Sequence, residues 1–161
     1  MKLYAVTLIG LITCLDASAQ PVSKDEAARF FAQYVQLSNA FDMRFTEMYA
    51  PSARVIGLRH TDSGEKERQE LTGAQWKQLV SFNLAKARKR NEQSTFSKIR
   101  YELQGEQVRI RALRYSLRKC HTDSSYSMLI GRHAREGLRI EEEIFETHLP
   151  SSCKSDASPV R

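Results

Sequence analysis

The sequence predicts an α+β domain: a curved antiparallel sheet wrapped around N-terminal helices, with an internal cavity. Three observations carry that reading. Apolar residues between 23 and 50 recur at steps of three and four, the spacing of one helix face. From Gln93 onward the apolar period changes to two. Tight turn signals, Gly105-Glu106 and Arg135-Glu136-Gly137, join the resulting strands, so neighbours run antiparallel. Such a sheet, with helices gathered on one face, is an α+β arrangement. The 161 residues suit one domain with a leader. Apolar residues at 41% and charged residues at 27% exclude a disordered, collagen-like or coiled-coil chain. A polytopic membrane protein is excluded too, because the only long apolar run is N-terminal.

The elements follow in order. Ser23 and Glu26 form a Ser-x-x-Glu capping box. Phe30, Tyr34, Leu37, Phe41, Phe45 and Met48 then share a helical face, with a bend or restart expected at Asn39 and Asp42. Pro51 ends the helical stretch at Tyr49 or Ala50. Residues 53–60 and 66–71 read as a hairpin around Thr61-Asp62-Ser63-Gly64, its charged second arm an edge strand. Trp76, Leu79, Val80, Leu84 and Ala87 mark the next helix, which ends on the cations Lys86, Arg88, Lys89 and Arg90. Ile99, Tyr101 and Leu103 form one strand, and Val108, Ile110 and Ala112 the next. The apolar set then slips to Leu113, Tyr115 and Leu117, which predicts a β-bulge between Ala112 and Leu113 and a bend in the sheet. Tyr126, Met128 and Ile130 mark a further strand, and Leu138, Ile140 and Ile144 the last. A bent sheet has a concave face, where pockets form.

Residues 1–19 have the three parts of a secretory signal peptide: Lys2, the apolar run 3–15, and Ala17-Ser18-Ala19 before Gln20. Leu11-Ile12-Thr13-Cys14 offers a rival lipoprotein cleavage with lipid on Cys14, and an uncleaved N-terminal helix is a third reading. Export in either of the first two forms places the protein in the periplasm or outside the cell. The mature organisation is then a domain over 20–149 and a flexible tail over 150–161, rich in Ser, Pro and charge. Cleavage after Ala19 removes one charge of each sign, so the mature chain keeps its +6. It also leaves two cysteines, Cys120 and Cys153. Cys120 ends one long strand, and residue 148 ends another on the same side if the last strands form a meander. A Cys120–Cys153 disulfide is therefore expected in an oxidising compartment.

The order helix, bent helix, hairpin, helix and four long strands resembles the nuclear-transport-factor-2-like superfamily, also called SnoaL-like or cystatin-like cones. Phe41-Asp42 followed by Glu47-Met48-Tyr49-Ala50 is similar to that superfamily's first-helix segment. Arg114-Tyr115-Ser116 and Ile140-Glu141-Glu142-Glu143 resemble strands of uncharacterised exported bacterial members. The resemblance covers about residues 25–148. It implies a cone with an internal cavity. It leaves function open, because the superfamily holds isomerases, dehydratases and cyclases beside proteins that only bind ligands or partners.

Six residues are candidates to line the cavity: Glu142, Arg114, Asp42, Tyr34, Tyr49 and Trp76. Glu142 shares the parity of Leu138, Ile140 and Ile144, so it is expected inside the cone, within reach of Arg114. The pair is either a buried ion pair stiffening the sheet or a cavity acid or base, unless Glu142 lies at an exposed rim. Asp42 either caps the restarted helix or points into the cone. Tyr34 and Tyr49 sit on the apolar stripe and need partners for their hydroxyls. Trp76 packs the helix onto the sheet.

His60, His121, His133 and His148 show no His-x-x-x-His spacing and no Cys-x-x-Cys company; His121 and His148 fall at one end of the sheet near Cys120 and Cys153, where an ordinary disulfide beside two surface histidines is expected over the alternative of a zinc site. No metal and no cofactor is expected, and there is no phosphate loop or nucleotide fingerprint. The basic clusters 86–90 and 109–119 lack interleaved stacking aromatics, so they read as solvated surface and not as a nucleic-acid site. Three classes of function remain: an envelope module binding a small apolar ligand or a protein partner, an isomerase, dehydratase or cyclase using a cavity carboxylate, and an interaction protein dimerising through its sheet. None requires stable membrane insertion.

Overall fold

A computed structural model describes residues 20–61 and 65–148. The proposed leader, with Cys14, the turn residues 62–64 and residues 149–161, with Cys153, lie outside the described residues. The expected Cys120–Cys153 disulfide has one of its cysteines outside the described residues.

Helix α1 spans Lys24–Asn39. Its capping box forms in full: the Ser23 hydroxyl accepts from the Glu26 N–H at 3.2 Å, and the Ser23 N–H donates to the Glu26 carboxylate at 3.0 Å. Arg132 reaches the other Glu26 oxygen at 2.6 Å and so ties the helix start to the sheet. The helix stops where the sequence predicts a bend. The Asn39 side chain binds the Ser94 backbone at both its N–H and its C=O, at 3.0 and 2.8 Å, and Phe41 takes a left-handed conformation with φ 52°. A short 3-10 helix follows over Met43–Met48, capped by Asp42. Strand β1 then begins at Tyr49 and runs to His60. Pro51 falls where the pairing of this strand skips from Tyr49 to Arg54, a place with no ladder bond for it to break.

Strand β2 (Lys66–Thr72) pairs with β1 at one edge of the sheet and is almost wholly exposed, as its charge predicts. Helix α2 (Gly73–Lys89) starts at a second capping box, Thr72 with Gln75. Its first residue must be glycine, because a Cβ at Gly73 would lie 2.1 Å from the Ala50 carbonyl oxygen. Strands β3 (Ser94–Gln104), β4 (Gln107–Ser116), β5 (His121–Asp123), β6 (Ser127–His133) and β7 (Gly137–His148) complete the fold.

The sheet order is β2-β1-β7-β6-β4-β3, with β5 paired to β4 beyond the end of β6. The last strands form the expected antiparallel meander. One pair is parallel: β1 runs beside β7, from Tyr49 opposite Ile140 to His60 opposite His148. The sheet is thus mixed, and the α+β cone is as the sequence implies.

Two bulges correct the predicted register. The phase slip read at Ala112 and Leu113 is present, but the extra residue belongs to β3. Ser97 faces Leu113 and Arg100 faces Arg111, so Lys98 and Ile99 oppose Ala112 alone, with Lys98 at φ 51°. Strand β4 keeps its parity, and Val108, Ile110 and Ala112 are buried together. The second bulge is in β7. Leu129 faces Glu142 while Ile130 faces Ile140, leaving Glu141 unpaired. Beyond it every side chain of β7 changes face. Glu142 therefore lies on the outer face. It accepts from Arg54 and Arg109, each at 3.0 Å, and does not meet Arg114.

The core fills the concave side. Ala27, Phe31 and Tyr34 of α1 pack with Phe45 and Met48 onto Val55, Ile110, Met128, Ile130 and Ile140. No helix among the described residues is long and apolar enough to cross a membrane.

Candidate functional site

Between α1, α2 and the concave face lies a cavity of about 360 Å³. Its wall is mostly apolar or aromatic, with Phe45, Trp76, Leu84, Phe96 and Phe145 among the lining residues. The aromatic groups support one another. Trp76 stands 5.8 Å from Phe145 and 6.5 Å from Tyr49, centroid to centroid, and the Arg114 guanidinium lies 5.1 Å from the Phe145 ring centre.

The polar floor is Glu143, only 2% exposed. The bulge at Glu141 turns it inward, and three phenols converge on it. Tyr34 of α1 donates to Oε1 at 2.9 Å, Tyr126 at the start of β6 donates to the same oxygen at 2.8 Å, and Tyr49 of β1 donates to Oε2. One carboxylate thus joins four elements. Burial first, and the neighbouring Glu143 charge second, push the hydroxyl pKa of all three tyrosines well above the ordinary value of 10. The protons therefore stay on the phenols, each of which donates to Glu143, and the Tyr34 oxygen also lies 3.3 Å from the Tyr49 hydroxyl.

Two further donors have no acceptor. Arg114 Nε and Trp76 Nε1 are buried and lack a hydrogen-bond partner among the described residues, and both residues line the cavity. Buried N–H groups of this kind are usually satisfied, so an unpaired pair in a cavity wall marks a place for an acceptor.

Of the six residues proposed from the sequence, the structure brings Arg114, Tyr34 and Trp76 to the cavity wall, and Tyr49 beneath it on Glu143. Glu142 is on the outer face, for the register reason given above. Asp42 is the cap of the 3-10 helix: it accepts from the Arg44 N–H at 2.9 Å and pairs with the Arg44 guanidinium at 2.6 Å. Those bonds hold its carboxyl down at about 2. Sequence reasoning missed Glu143, Tyr126 and Phe145. Phe145 was the available signal, because an aromatic residue at an odd position demands the opposite parity from Leu138 and Ile140, and so places Glu143 inside.

No protein-family model and no curated protein matches the sequence. Solved structures do match the fold. An NTF2-like protein of unknown function from Pseudomonas putida KT2440 aligns with a TM-score of 0.57 at 9% identity, over 81% of this chain and 89% of that one. A protein of unknown function with a cystatin-like fold from Methylobium petroleophilum PM1 aligns at 0.53 and 11% identity, over 87% and 85%. An NTF-2-like protein of unknown function from Shewanella oneidensis MR-1 gives 0.54 and 10%, over 76% and 98%. At these identities the likeness shows the fold alone. The chain has the nuclear-transport-factor-2-like cone fold, and its function must be argued from its own cavity.

Proposed function

We propose that this protein is an exported binding module whose cone takes a small, largely apolar ligand by one hydrogen-bond acceptor, best an aromatic or alicyclic carboxylate. The observation that carries the reading is the pair of buried, unpartnered donors, Arg114 Nε and Trp76 Nε1, in a cavity with aromatic walls. The volume of about 360 Å³ suits a compact molecule. A ligand carboxylate would satisfy both donors and place its ring against Phe145 and Trp76. Binding is favoured over the isomerase, dehydratase or cyclase reading because Glu143, the one buried carboxylate at the cavity, already accepts three phenol hydrogens. A general base needs a lone pair aimed at substrate.

Trp76 is the chain's single tryptophan, so its fluorescence reports cavity occupancy directly. Titration with 1-naphthoate should change the Trp76 emission saturably, and Arg114→Met should weaken that binding at least tenfold while leaving 1-methylnaphthalene unaffected. Equal affinity of the native protein for the acid and the hydrocarbon would overturn the role given to Arg114. Turnover of a cavity-bound substrate that Glu143→Gln abolishes would restore the enzyme reading.

Export rests on residues 1–19 and on how the domain begins. The Gln20 carbonyl accepts from Arg132 at 2.9 Å, and the Val22 N–H donates to Glu106 at 2.9 Å, so the chain is anchored from Gln20 on. N-terminal sequencing of the exported protein should start at Gln20; a lipidated start at Cys14 would replace this cleavage. In the exported protein Cys120 and Cys153 should resist alkylation until a reductant is added, as a disulfide requires. Two thiols that react without reductant would exclude that bridge.

A further inference from the structure

The end of the sheet where β1 and β7 finish carries a second group of chemistry-bearing side chains, remote in role from the cavity. His60 ends β1 and His148 ends β7, and the parallel register sets them directly opposite each other. Strand β5 continues the line of β6 beyond the Ser124-Ser125 interruption. The Asp123 carboxylate accepts from the Glu146 N–H at 2.7 Å, which sets β5 beside the end of β7. His121, two residues before Asp123, therefore reaches His148 from the other side. The three rings form a row, with His148 3.9 Å from His60 and 3.5 Å from His121 between ring centres. Glu146 shares the face of His148, two residues earlier in the same strand.

The donor atoms converge. His60 Nε2 lies 2.9 Å from Glu146 Oε2, and the ligand atoms of His60, Glu146 and His148 all lie within 4.8 Å of one another. A tetrahedral zinc ion with bonds of about 2.0–2.2 Å holds its donors roughly 3.3–3.6 Å apart, so closure needs movement of about 1 Å. The remaining nitrogens support the same reading. His148 Nε2 and His121 Nε2 are buried and have no hydrogen-bond partner among the described residues. Buried imidazole nitrogens without a partner on two adjacent strands are unusual unless something else is meant to satisfy them. The other oxygen of Glu146 accepts from Lys66 at 2.8 Å, which fixes the carboxylate with Oε2 turned toward the histidines. Lys66 also brings a positive charge, opposed by Asp123 on the other side of Glu146.

We propose that His60, Glu146 and His148, with His121 beside His148 as the nearest further imidazole, bind one divalent transition-metal ion of the zinc class at the end of the sheet. Imidazole with a single carboxylate selects zinc, cobalt, nickel or copper over magnesium and calcium, which demand oxygen. An ion here would cross-link β1 and β7 at the point where the parallel strands end. The site contains no residue of the cavity, so the proposal stands or falls apart from the ligand-binding reading.

The test uses the full chain, stripped with chelator and titrated with zinc against a chromophoric competitor, and with cobalt for its visible spectrum. The expected result is one equivalent bound at micromolar affinity or tighter, with cobalt d–d bands of four-coordinate intensity and no near-ultraviolet thiolate charge-transfer band. His60→Ala and His148→Ala should each weaken zinc at least 100-fold. His133→Ala, in a histidine paired with Glu141 elsewhere, should bind as the native protein does. Circular dichroism of each metal-free variant checks folding, and Glu146→Gln, which keeps the side chain's shape, replaces any alanine variant that fails to fold and should show the same loss. Native-like affinity in the histidine variants, a thiolate band, or zinc binding no tighter than that of an isolated surface histidine would overturn the site.

Discussion

Glu142 and Glu143 are adjacent, chemically identical and folded into opposite worlds. Glu143 faces the cone, buried beneath three phenols that act as hydrogen-bond donors. Glu142 faces outward between the guanidiniums of Arg54 and Arg109, its side chain 15% exposed. Both carboxylates accept several hydrogen bonds, but the physics differs. Outside, two full positive charges act at the protein surface, where the effective dielectric lies between that of water and that of the interior and attraction is weaker than in the core. Inside, neutral dipoles act in a low dielectric, where a donor left unpaired is costly. The number of contacts is similar on the two faces; what it costs to lose them is not.

The largest effect should come from breaking the inner arrangement. Replacing Glu143 with Met leaves three buried hydroxyls without their acceptor and should destabilise the fold by about 3–5 kcal/mol in urea or thermal unfolding. Tyr34 and Tyr49 soften the loss slightly, because their oxygens are only 3.3 Å apart and can bond each other. The cost belongs to the orphaned hydroxyls, so Tyr34→Phe, Tyr49→Phe and Tyr126→Phe added to Glu143→Met should recover most of it. A quadruple variant no more stable than Glu143→Met alone would show that the cluster's shape, not its hydrogen bonding, holds the floor of the cone.

The next effect sharpens the contrast through pH. The three phenols have folded pKa values well above 10, raised by burial and by Glu143. Their contribution is complete below the unfolded value near 10 and is lost as pH rises from there toward the folded values. In that interval each phenol removes roughly 1.4 kcal/mol of stability per pH unit. The ultraviolet absorbance of ionised tyrosine should therefore appear in two stages, with Tyr34, Tyr49 and Tyr126 titrating together with alkaline unfolding. Reversible ionisation of all tyrosines in a still-folded protein would contradict their role as donors to Glu143.

How much of this was legible beforehand depended on register. The capping box at Ser23, the break at Asn39, the exposed second arm of the hairpin and the meander of the last strands follow from local chemistry, which the sequence displays residue by residue. The face of the three consecutive glutamates does not. Leu138 and Ile140 give one parity and Phe145 the other, and a single unpaired residue between them reconciles both. Likewise, the phase slip at Ala112 was visible, but the extra residue was in the partner strand at Lys98, because pattern marks a mismatch between strands without saying which one carries it. The histidine row was half visible. His121 and His148 share an end of the meander, whereas His60 joins them only through the parallel β1–β7 pairing, a contact between residues 86 or more apart that no local signal announces. Nothing in the spacing of the tyrosines indicates that three of them meet at one carboxylate.

The smallest effect is expected on the outer face. Glu142→Gln keeps the side chain's volume and one oxygen for Arg109, and removes the charge between two arginines. Arg54 keeps a second carboxylate, Glu70 at 2.8 Å, and Arg109 keeps the Ser127 hydroxyl at 2.9 Å and the Gln104 side chain at 3.0 Å. With partners remaining on both sides, the loss should be about 1 kcal/mol or less. Part of it is electrostatic, so the difference between Glu142→Gln and the native protein should shrink as salt rises from 0.05 M toward about 1 M, where the Debye length falls to roughly 3 Å. The same change at Glu143 should keep its full effect across that range, because ions do not enter the buried floor. A salt-independent loss at Glu142 comparable to that at Glu143 would mean that the outer pair is buried more deeply than its 15% exposure indicates, and that the two faces of β7 are not the contrasting environments the bulge at Glu141 creates.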